Sequence, residues 1–565
     1  MSAPIWTKTC MALAVAALFV SLAAFGASPE PASAQVASQS GASSFGWFGG
    51  YTVVQHRLPE PNSQPWAIAA DPLGNLWFVE QGTNMLGEYH PATGNFSQYP
   101  IPTARSSPDA VAADRYGNIW FVELTSNKLG ELPANRSGIV EFPIPGSVVT
   151  LGTKTQTLGC GPGAVLAAPS GDIWIACLFS NQIAEFIPAQ GTFLSYDLPV
   201  FQSAPAGMVL DGSGNLWFTA ADSNMLGKAV VSQLRNGTSQ GITEFAPMNQ
   251  TYQFEFTHPT SFLGSTEVIS SSIRTPSGIA LSPSGKLWFT EHVDSSFDSY
   301  DPAGQSLVKY WTTQTHGANG YSVTFPNGIA VDANGSVWIG EHYGNRVAEF
   351  LPSSGVMTEY PVPCCTTGIA GVYSVTLAPD GRLWFVEIGG DAIGEMVPAA
   401  NPLSLSLKLP STTLIMGAGQ RLTVPLSYAQ KGMNATPLSL SVSGITIEGT
   451  LQNMTATFSA PTIALPPEGS SVSNLTLSLA GLSPGVYYLT LGATAQDGVI
   501  YSAILELTVE PGGTYPILLY SLVVACSIAA AGAVGLTLVR RSRPGRPRMR
   551  SFQRSLTSTA TSAAH

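Results

Sequence analysis

Five glutamates recur at one position of a repeated apolar segment, three residues after a tryptophan. They are Glu80, Glu123, Glu291, Glu341 and Glu387. Polar side chains stand four residues further along, at Asn84, Asn127, Asn345 and Asp391. Carboxylates at short range repel each other and raise each other's pKa unless a cation or hydrogen-bond donors compensate. A ring of these residues around a channel predicts either an oxygen-liganded cation such as Mg²⁺ or Ca²⁺, or hydrogen bonds to the backbone that every copy repeats.

Two histidines directly follow two of these glutamates, in Glu291-His292 and Glu341-His342. An imidazole at a channel rim can act as a general base or hold a substrate, and it can also be a polar rim residue without a chemical role. Alternation along a strand turns each histidine away from the preceding glutamate. The catalytic candidates are Glu291, Glu341, Glu387, His292 and His342, the ligand-binding candidates are Glu80, Glu123, Asn84, Asn127, Asn345 and Asp391, and no metal ligand is assigned.

A sevenfold repeat carries these residues. Its mark is a tryptophan in an apolar strand, found at Trp77, Trp120, Trp174, Trp217, Trp288, Trp338 and Trp384. The copy in residues 325–363 contains four short strands with turns at Gly335 and Gly355, where glycine supplies a positive φ. Four strands per copy make one blade, so the repeat predicts a seven-bladed β-propeller over residues 51–400.

The two ends of the repeat predict how the propeller closes. The last copy lacks a fourth strand after Met396, whereas residues 52–59 precede the first copy and resemble the fourth strands of the others. Pairing of this segment with the last copy would complete blade seven and remove two exposed edges.

A second β domain follows the repeat. After Asn401 the tryptophan pattern stops, and alternating segments such as 404–407, 475–479 and 488–491 follow, separated by proline and glycine turns. This pattern predicts an immunoglobulin-like β-sandwich over residues 401–512. It could serve as a stalk or as a second binding domain.

Two apolar segments predict the topology of this all-β chain. Lys8 precedes an apolar run and an Ala-x-Ala-like site ahead of Gln35, which is the order of a secretory signal peptide over residues 1–34, with an uncleaved anchor as the alternative. Residues 516–539 contain no charge and are long enough for one C-terminal transmembrane helix. The arginine-rich tail, residues 540–565, then lies in the cytoplasm, and everything before the span is extracellular.

The charge distribution argues against nucleic acid as a partner. The chain has 24 Lys and Arg against 35 Asp and Glu. Lys8 and seven arginines lie outside residues 35–513, and so does Glu30, which leaves 16 bases and 34 acids in that segment. An acidic surface repels phosphate backbones, and the basic tail is explained by topology.

Cysteines and glycosylation sequons both fit an oxidising, extracellular compartment. Cys160, Cys177, Cys364 and Cys365 lie outside the apolar runs and allow three pairings. A bridge between neighbours is strained, so at least one of Cys364 and Cys365 should pair elsewhere or stay free. Eight N-x-S/T sequons indicate a glycoprotein, at Asn95, Asn135, Asn236, Asn249, Asn334, Asn434, Asn453 and Asn474.

The repeat P-x-G-I-A-x-D-x-x-G-x-L-W-F-x-E-x-x-x-N-x-I-G-x-x-x-P resembles that of the streptogramin B lyases (virginiamycin B lyases) over about 350 residues. The resemblance implies a propeller that linearises a cyclic depsipeptide by elimination, with Mg²⁺, a glutamate at the W-F-x-E position and a catalytic histidine in a P-H-G-I turn. In this sequence the histidine position is occupied by Trp66, Asp109, Gly163, Ala206, Ser277, Asn327 and Tyr373. His292 and His342 would have to replace it from another position.

The sequence leaves three functions open. The first is a membrane-anchored extracellular propeller that binds a carbohydrate, peptide or envelope protein at its channel rim. The second is a metal-dependent lyase or hydrolase of the streptogramin B lyase type, with Mg²⁺ or Ca²⁺ as the cofactor. The third is an architectural part of the cell envelope. The missing histidine and the membrane anchor favour the first.

Overall fold

The computed structural model describes residues 43–151, 154–246, 254–259, 266–271, 275–293, 295–313, 324–363, 370–411, 413–417, 421–431, 435–446, 449–450, 454–479 and 485–510. Within these ranges, no helix has the length and apolar character needed to span a bilayer. The predicted signal peptide (1–34), transmembrane segment (516–539) and tail (540–565) lie outside the described residues.

The described chain is built almost entirely of strands, and four-stranded antiparallel sheets follow one another along it. Strand β1 (Ser43–Arg57) precedes blade 1, which contains β2 (Pro65–Ala70), β3 (Leu76–Glu80), β4 (Met85–His90) and β5 (Asn95–Pro100). Blade 2 contains β6 (Pro108–Ala113), β7 (Ile119–Glu123), β8 (Lys128–Leu132) and β9 (Val140–Pro143), and the hairpin β10 (Ser147–Leu151) and β11 (Lys154–Leu158) follows. Blade 3 contains β12 (Pro162–Ala167), β13 (Ile173–Cys177), β14 (Gln182–Ile187) and β15 (Thr192–Asp197).

The remaining blades follow the same plan. Blade 4 contains β16 (Pro205–Leu210), β17 (Leu216–Ala220), β18 (Met225–Ala229), a 3₁₀ turn (Val231–Gln233) and β19 (Ile242–Phe245), and the hairpin β20 (Phe254–Pro259) and β21 (Thr266–Ser271) follows. Blade 5 contains β22 (Pro276–Leu281), β23 (Leu287–Glu291), β24 (Ser296–Asp301) and β25 (Ser306–Trp311). Blade 6 contains β26 (Pro326–Val331), β27 (Val337–Glu341), β28 (Arg346–Leu351) and β29 (Val356–Pro361), and blade 7 begins with β30 (Val372–Leu377), β31 (Leu383–Glu387) and β32 (Ala392–Leu409).

The turn between the first two strands of a blade explains the D-x-x-G-x-L-W pattern. The Asp71 carboxylate accepts hydrogen bonds from the backbone N–H groups of Leu73 and Asn75, and the indole N–H of Trp77 donates to it at 3.1 Å. Gly74 adopts a φ of +86° in the same turn. The Asp–Trp bond recurs in blades 2, 4 and 6, at Asp114–Trp120, Asp211–Trp217 and Asp332–Trp338. One carboxylate thus fixes both the turn and the buried tryptophan.

The sheets form a closed ring. Each first strand contacts the first strands of the neighbouring blades, and β2 of blade 1 contacts β30 of blade 7. Strand β1 supplies the fourth strand of blade 7, with Thr52 opposite Val397 and Arg57 opposite Ala392. The predicted closure is therefore confirmed, and the described residues contain seven four-stranded units of a β-propeller.

Two further sheets follow the propeller. They contain the end of β32 together with β33 (Thr413–Gly417), β34 (Arg421–Lys431), β35 (Thr436–Thr446), β36 (Gly449–Thr450), β37 (Met454–Phe458), β38 (Thr462–Leu465), β39 (Ser470–Leu479), β40 (Gly485–Ala495) and β41 (Ile500–Glu510). One sheet has the order β32-β34-β39-β37. In the other, β41, β40 and β35 are consecutive, β33 pairs with β41, and β38 and β36 pair with β35. Alternate side chains such as Leu422, Val424 and Leu507 form the core between the two sheets.

Hydrogen bonds join this second part directly to the propeller. Strand β29, the outermost strand of blade 6, pairs with β41 between Val356 and Glu359. Residues 43–49 of β1 pair with residues 403–409 of β32, beyond the end of blade 7. One apolar core accordingly contains residues of both parts, among them Trp338 and Tyr360 of blade 6 and Leu505 of β41.

Candidate functional site

The five repeated glutamates lie inside the blades. Glu80, Glu123, Glu291, Glu341 and Glu387 are all 0% exposed. Glu80 accepts hydrogen bonds from Thr83 Oγ1 at 2.5 Å and from Gln98 Nε2 at 2.8 Å, both in its own blade. Ser126 Oγ donates to Glu123 at 2.7 Å, and Gln55 Nε2 of the closing strand donates to Glu387 at 2.6 Å. Each of these three carboxylates therefore accepts at least one hydrogen bond from a nearby side chain.

Glu341 lies in a buried group of charges in blade 6. Burial, together with the neighbouring carboxyl of Glu359, raises the pKa of Glu341, and the guanidinium of Arg346 opposes the rise from 3.7 Å. The described residues bring no three His, Cys, Asp or Glu side chains together as metal ligands. The five carboxylates are enclosed within the blades, and an Mg²⁺ or Ca²⁺ cofactor stays a prediction.

Blade 3 shows what replaces the glutamate when it is absent. Cys177 occupies the glutamate position and forms a disulfide with Cys160. In blade 2 the residue that corresponds to Cys160 is Ser106, whose side chain hydrogen-bonds to Glu123. The disulfide therefore stands where a neighbouring blade has a Ser–Glu hydrogen bond. Cys364 and Cys365 lie outside the described residues.

The polar residues four positions after the glutamates connect consecutive blades. Asn84, Asn127, Asn345 and Asp391 all have a positive φ, between 46° and 59°. Asparagine and aspartate tolerate this left-handed region better than other residues with a side chain. Asn84 Oδ1 accepts from the backbone N–H of Ser106, which leads into blade 2. Asp391 accepts from the backbone N–H groups of Asn62 and Gln64 and so joins blade 7 to blade 1.

The two predicted histidines lie together with aromatic residues at the mouth of the channel. The rings of His292 and His342 have centroids 6.0 Å apart. The ring of Tyr373 lies 5.1 Å from that of His342 and 6.4 Å from that of His292. Trp66 packs on the other side of Tyr373, at 4.4 Å. Blades 5, 6, 7 and 1 each contribute one ring to this cluster, which we call the channel-mouth cluster.

The environment sets the protonation of the two imidazoles. His292 Nδ1 lies 3.2 Å from the carbonyl oxygen of Pro326, which can only accept, so Nδ1 carries a proton. Burial, with a contribution from His292, lowers the pKa of His342 to about 3. His342 is therefore neutral at physiological pH, and its Nδ1 has no hydrogen-bond partner among the described residues.

An aspartate beside the cluster titrates near neutrality. Burial raises the pKa of Asp109 to about 7, although the amide of Gln81 donates to its carboxylate at 3.2 Å and opposes the rise. Burial and the charge of Asp109 raise the pKa of Tyr373. A carboxyl group with this pKa can give or take a proton under physiological conditions. Asp109 is the strongest acid–base candidate among the described residues of the channel mouth.

Asn327 stands in the blade that matches the P-H-G-I turn best, and its amide is engaged between blades. Ser277 Oγ donates to Asn327 Oδ1 at 2.6 Å. Asn327 Nδ2 donates to the carbonyl oxygen of Tyr373 at 3.1 Å. The side chain therefore ties blade 5 to blade 6 and blade 6 to blade 7, and it is not a proton acceptor of the histidine type.

Three residues of this site, Trp66, Asp109 and Tyr373, were not among the sequence candidates. Each is the second residue of the inner strand of its blade, at a position where the residue type differs from copy to copy. The glutamates and asparagines attracted attention because they repeat, whereas the side chains that meet at the mouth do not. The variable position of a regular repeat is the signal that could have found them.

Comparison with known proteins places the chain beside two propeller families. The model of the virginiamycin B lyase family matches residues 49–150, and the model of the SMP-30/gluconolactonase/LRE-like region matches residues 207–372. The comparison with curated proteins gave no match.

Solved propellers resemble this structure at low identity. A streptogramin B lyase structure is 22% identical, with a TM-score of 0.49, and the match covers 62% of this chain and 98% of that one. The virginiamycin B lyase of Staphylococcus aureus is 21% identical, with a TM-score of 0.49, over 61% of this chain and 99% of that one. A gluconolactonase of Xanthomonas campestris is 12% identical, with a TM-score of 0.34, and the match covers 62% of this chain and 90% of that one. In its closing strand and first two blades, this chain is similar to the virginiamycin B lyase family.

Proposed function

We propose that this chain is a membrane-anchored, extracellular binding protein that takes up its ligand at the mouth of the propeller channel. The observation that carries the proposal is the channel-mouth cluster, in which Trp66, His292, His342 and Tyr373 meet from four blades. Aromatic rings with a few polar groups are the usual lining of a ligand site. A carbohydrate, a peptide or a segment of an envelope protein has the mixed apolar and hydrogen-bonding character that such a lining recognises.

The burial of the glutamates supports binding over metal-dependent chemistry. In the resemblance to the lyases, the W-F-x-E glutamate assists catalysis, but here these carboxylates are 0% exposed and take part in bonds within the blades. Asn327 replaces the histidine and is held between two blades. The residues that remain accessible at the mouth are suited to contact a ligand.

The extracellular part of the proposal rests on sequence and on exposure. The signal-like segment 1–34, the apolar segment 516–539 and the basic tail 540–565 predict a single-pass protein with its bulk outside the cell. The sequon asparagines that the structure describes, Asn95, Asn135, Asn236, Asn334 and Asn474, are all exposed, as glycosylation requires. We assign the sandwich after residue 400 as an immunoglobulin-like support that holds the propeller clear of the membrane.

The test is capture of ligands by the full-length chain in lipid nanodiscs. A glycan array, a peptide library and labelled cell-envelope fractions are screened, and the best ligand is titrated against Trp66→Ala and Tyr373→Ala. Tyr116→Ala is the matched control, because Tyr116 is an aromatic side chain 60% exposed in a turn at the opposite end of an inner strand. We expect at least a tenfold loss of affinity, about 1.4 kcal/mol, in the two mouth variants only. Absence of any ligand, or full affinity in both variants, would contradict the proposal.

A second candidate function is supported by Asp109 and His292. A carboxyl group with a pKa of about 7 and an imidazole whose Nδ1 donates to a carbonyl are each suited to remove or return a proton in a lyase or hydrolase. The test incubates the chain with a streptogramin B antibiotic, with and without Mg²⁺ or Ca²⁺ and with EDTA. Elimination gives a linear product of unchanged mass, and hydrolysis adds one water. No product in any condition, or equal activity in Asp109→Asn, would contradict this function.

A further inference from the structure

A cleft of about 460 Å³ opens between blades 5 and 6, away from the channel mouth. Its walls are the turn Ser282–Lys286 of blade 5 and the turns 333–336 and 351–353 of blade 6, and Trp288, Ser299 and Tyr310 also line it. Strand β22 runs from Pro276 at the mouth to Leu281 at this turn. The cleft therefore lies on the opposite face of the propeller from His292 and Tyr373.

Blade 5 departs from the repeat at the two positions that would otherwise fill this space. The turn residue is Asp71, Asp114, Asp211 or Asp332 in four blades and Ala168 or Ala378 in two, and it is Ser282 here. The residue paired with the blade tryptophan is Glu88, Glu131, Glu185, Lys228, Glu349 or Glu395 in the other six blades, and it is Ser299 here. In blade 5 alone, neither position carries a charge. Two short hydroxyl side chains thus take the place of longer charged ones above Trp288.

The junction of blades 1 and 2 shows what occupies the equivalent space elsewhere. There the guanidinium of Arg136 lies over the ring of Trp77, 4.4 Å from its centroid, and 3.5 Å from the carboxylate of Glu88. Arg136 belongs to the loop 133–139 of blade 2. The corresponding loop of blade 6, residues 352–355, is shorter and contains no cation. Arg136 thus fills this space at the junction of blades 1 and 2, whereas the space is open at the junction of blades 5 and 6.

We propose that the cleft between blades 5 and 6 binds a neutral saccharide. The partly exposed ring of Tyr310 supplies an aromatic surface for the apolar face of a sugar ring, and it rests on the buried ring of Trp288, with centroids 5.6 Å apart. Ser284, Asn334 and Lys286 stand at the lip and offer a hydroxyl, an amide and an ammonium group to sugar hydroxyls. The space is of the size that small-ligand sites usually have.

The charges around the cleft favour a neutral ligand over a charged one. With serine at positions 282 and 299, the blade 5 wall lacks the carboxylate that pairs with Arg136 in blades 1 and 2. Lys286 is the cation of the wall, and it has a nearby counter-ion in Asp301. Backbone N–H groups of Gly304 and Ala303 lower the pKa of Asp301, and the Lys286 ammonium contributes to the shift. Neither a cationic nor an anionic ligand would find an uncompensated partner there.

The test titrates neutral trisaccharides of glucose, mannose, galactose and N-acetylglucosamine into the full-length chain by calorimetry. The protein is produced without N-glycosylation, because Asn334 begins an Asn-Gly-Ser sequon at the lip. Ser299→Glu and Ser282→Asp restore residues that other blades carry, so the fold should tolerate them. Ser213→Glu is the control, since Ser213 lies exposed in the corresponding turn of blade 4.

We expect one trisaccharide to bind, both cleft variants to lose about tenfold or more in affinity, and Ser213→Glu to bind as the unaltered chain does. Failure of every trisaccharide to bind would overturn the proposal, as would full affinity in Ser299→Glu and Ser282→Asp with unchanged melting temperatures. A loss confined to Tyr373→Ala would assign the sugar to the channel mouth and overturn the cleft. The cleft and the channel mouth are therefore tested separately.

Discussion

The interior of the blades and the mouth of the channel differ in how far their residue types recur from one copy of the repeat to the next. Inside the blades, residue types recur: glutamate ends the second strand at Glu80 and Glu123, and a left-handed Asn or Asp follows at Asn84 and Asp391. At the mouth, the second residues of the inner strands differ from blade to blade, as at Trp66, Asp109 and Tyr373. Recurring residues hold each blade to itself and to the next. The non-recurring residues meet when the ring closes. Their types can be suited to a ligand, because they do not hold the blades together.

The largest effect is expected at a recurring glycine of the third strand. A Cβ on Gly130 would lie 2.2 Å from the ring of Phe121. The pair is Phe with Gly in four blades, but Ile175 faces Ala184 in blade 3. We expect Gly130→Ala to cost about 3 kcal/mol of unfolding free energy by overpacking. Adding Phe121→Ile should recover most of that loss, as measured by urea denaturation. No recovery would refute the size-matching explanation.

The next effect concerns the closure of the ring at Asp391. Its carboxylate accepts hydrogen bonds from two backbone N–H groups of the segment leading into blade 1, and the residue has a φ of +46°. Asp391→Ala should lower the unfolding free energy by about 2 kcal/mol, because it removes the hydrogen-bond acceptors and strains the backbone. Asp391→Gly should recover the part due to strain, and Asp391→Asn should recover part of the bonding. Equal melting temperatures for Ala and Gly would show that backbone strain contributes nothing.

The repeat allowed the blade architecture and the ring closure to be predicted from sequence, but it did not reveal how deeply the glutamates are buried. Glycine turns and buried tryptophans fix strand order locally, and the missing fourth strand after Met396 points to β1. The sequence predicts a ring of glutamates around the channel mouth, and in the structure Glu341 is enclosed in its blade. A blade packs against a blade on each side, so all five residues of β27 are buried. Strand alternation then does not distinguish a channel-facing side chain from an enclosed one.

The residues of the mouth could not be assembled from sequence because ring closure brings them together. Trp66 and Tyr373 belong to the first and last blades and meet only when β1 pairs with β32. Their local sequence marks both as occupants of the variable position of the repeat, but it does not show that they touch. The cleft at blade 5 could not be predicted from one copy of the repeat either. It follows from two missing charges that become apparent only when all seven copies are compared.

An effect of another kind, visible as a pH dependence of stability, is expected at Asp109. Its folded-state pKa is about 7, against 3.8 for an ordinary aspartate, so the folded chain binds the proton more tightly than the unfolded chain. Stability that is present below about pH 4 is therefore lost as the pH rises to about 7. Asp109→Asn removes the titration, so its melting temperature relative to the unaltered chain should rise between pH 4 and pH 7 and then level off. A difference that is constant with pH would contradict the raised pKa.

The smallest effect on stability is expected at the mouth itself, where substitution should alter binding instead. His342 Nδ1 is buried without a partner among the described residues, which is unfavourable for folding. His342→Leu should therefore leave the unfolding free energy within about 0.5 kcal/mol of the unaltered chain, or raise it. The same variant should lose affinity for the ligand of the channel mouth. Leu86→Ala provides the contrast, because Leu86 is fully buried inside blade 1 and its truncation should cost about 3 kcal/mol without touching the mouth. If His342→Leu lost as much unfolding free energy as Leu86→Ala, the imidazole would, like the recurring residues, hold the blades together, and the prediction would be wrong.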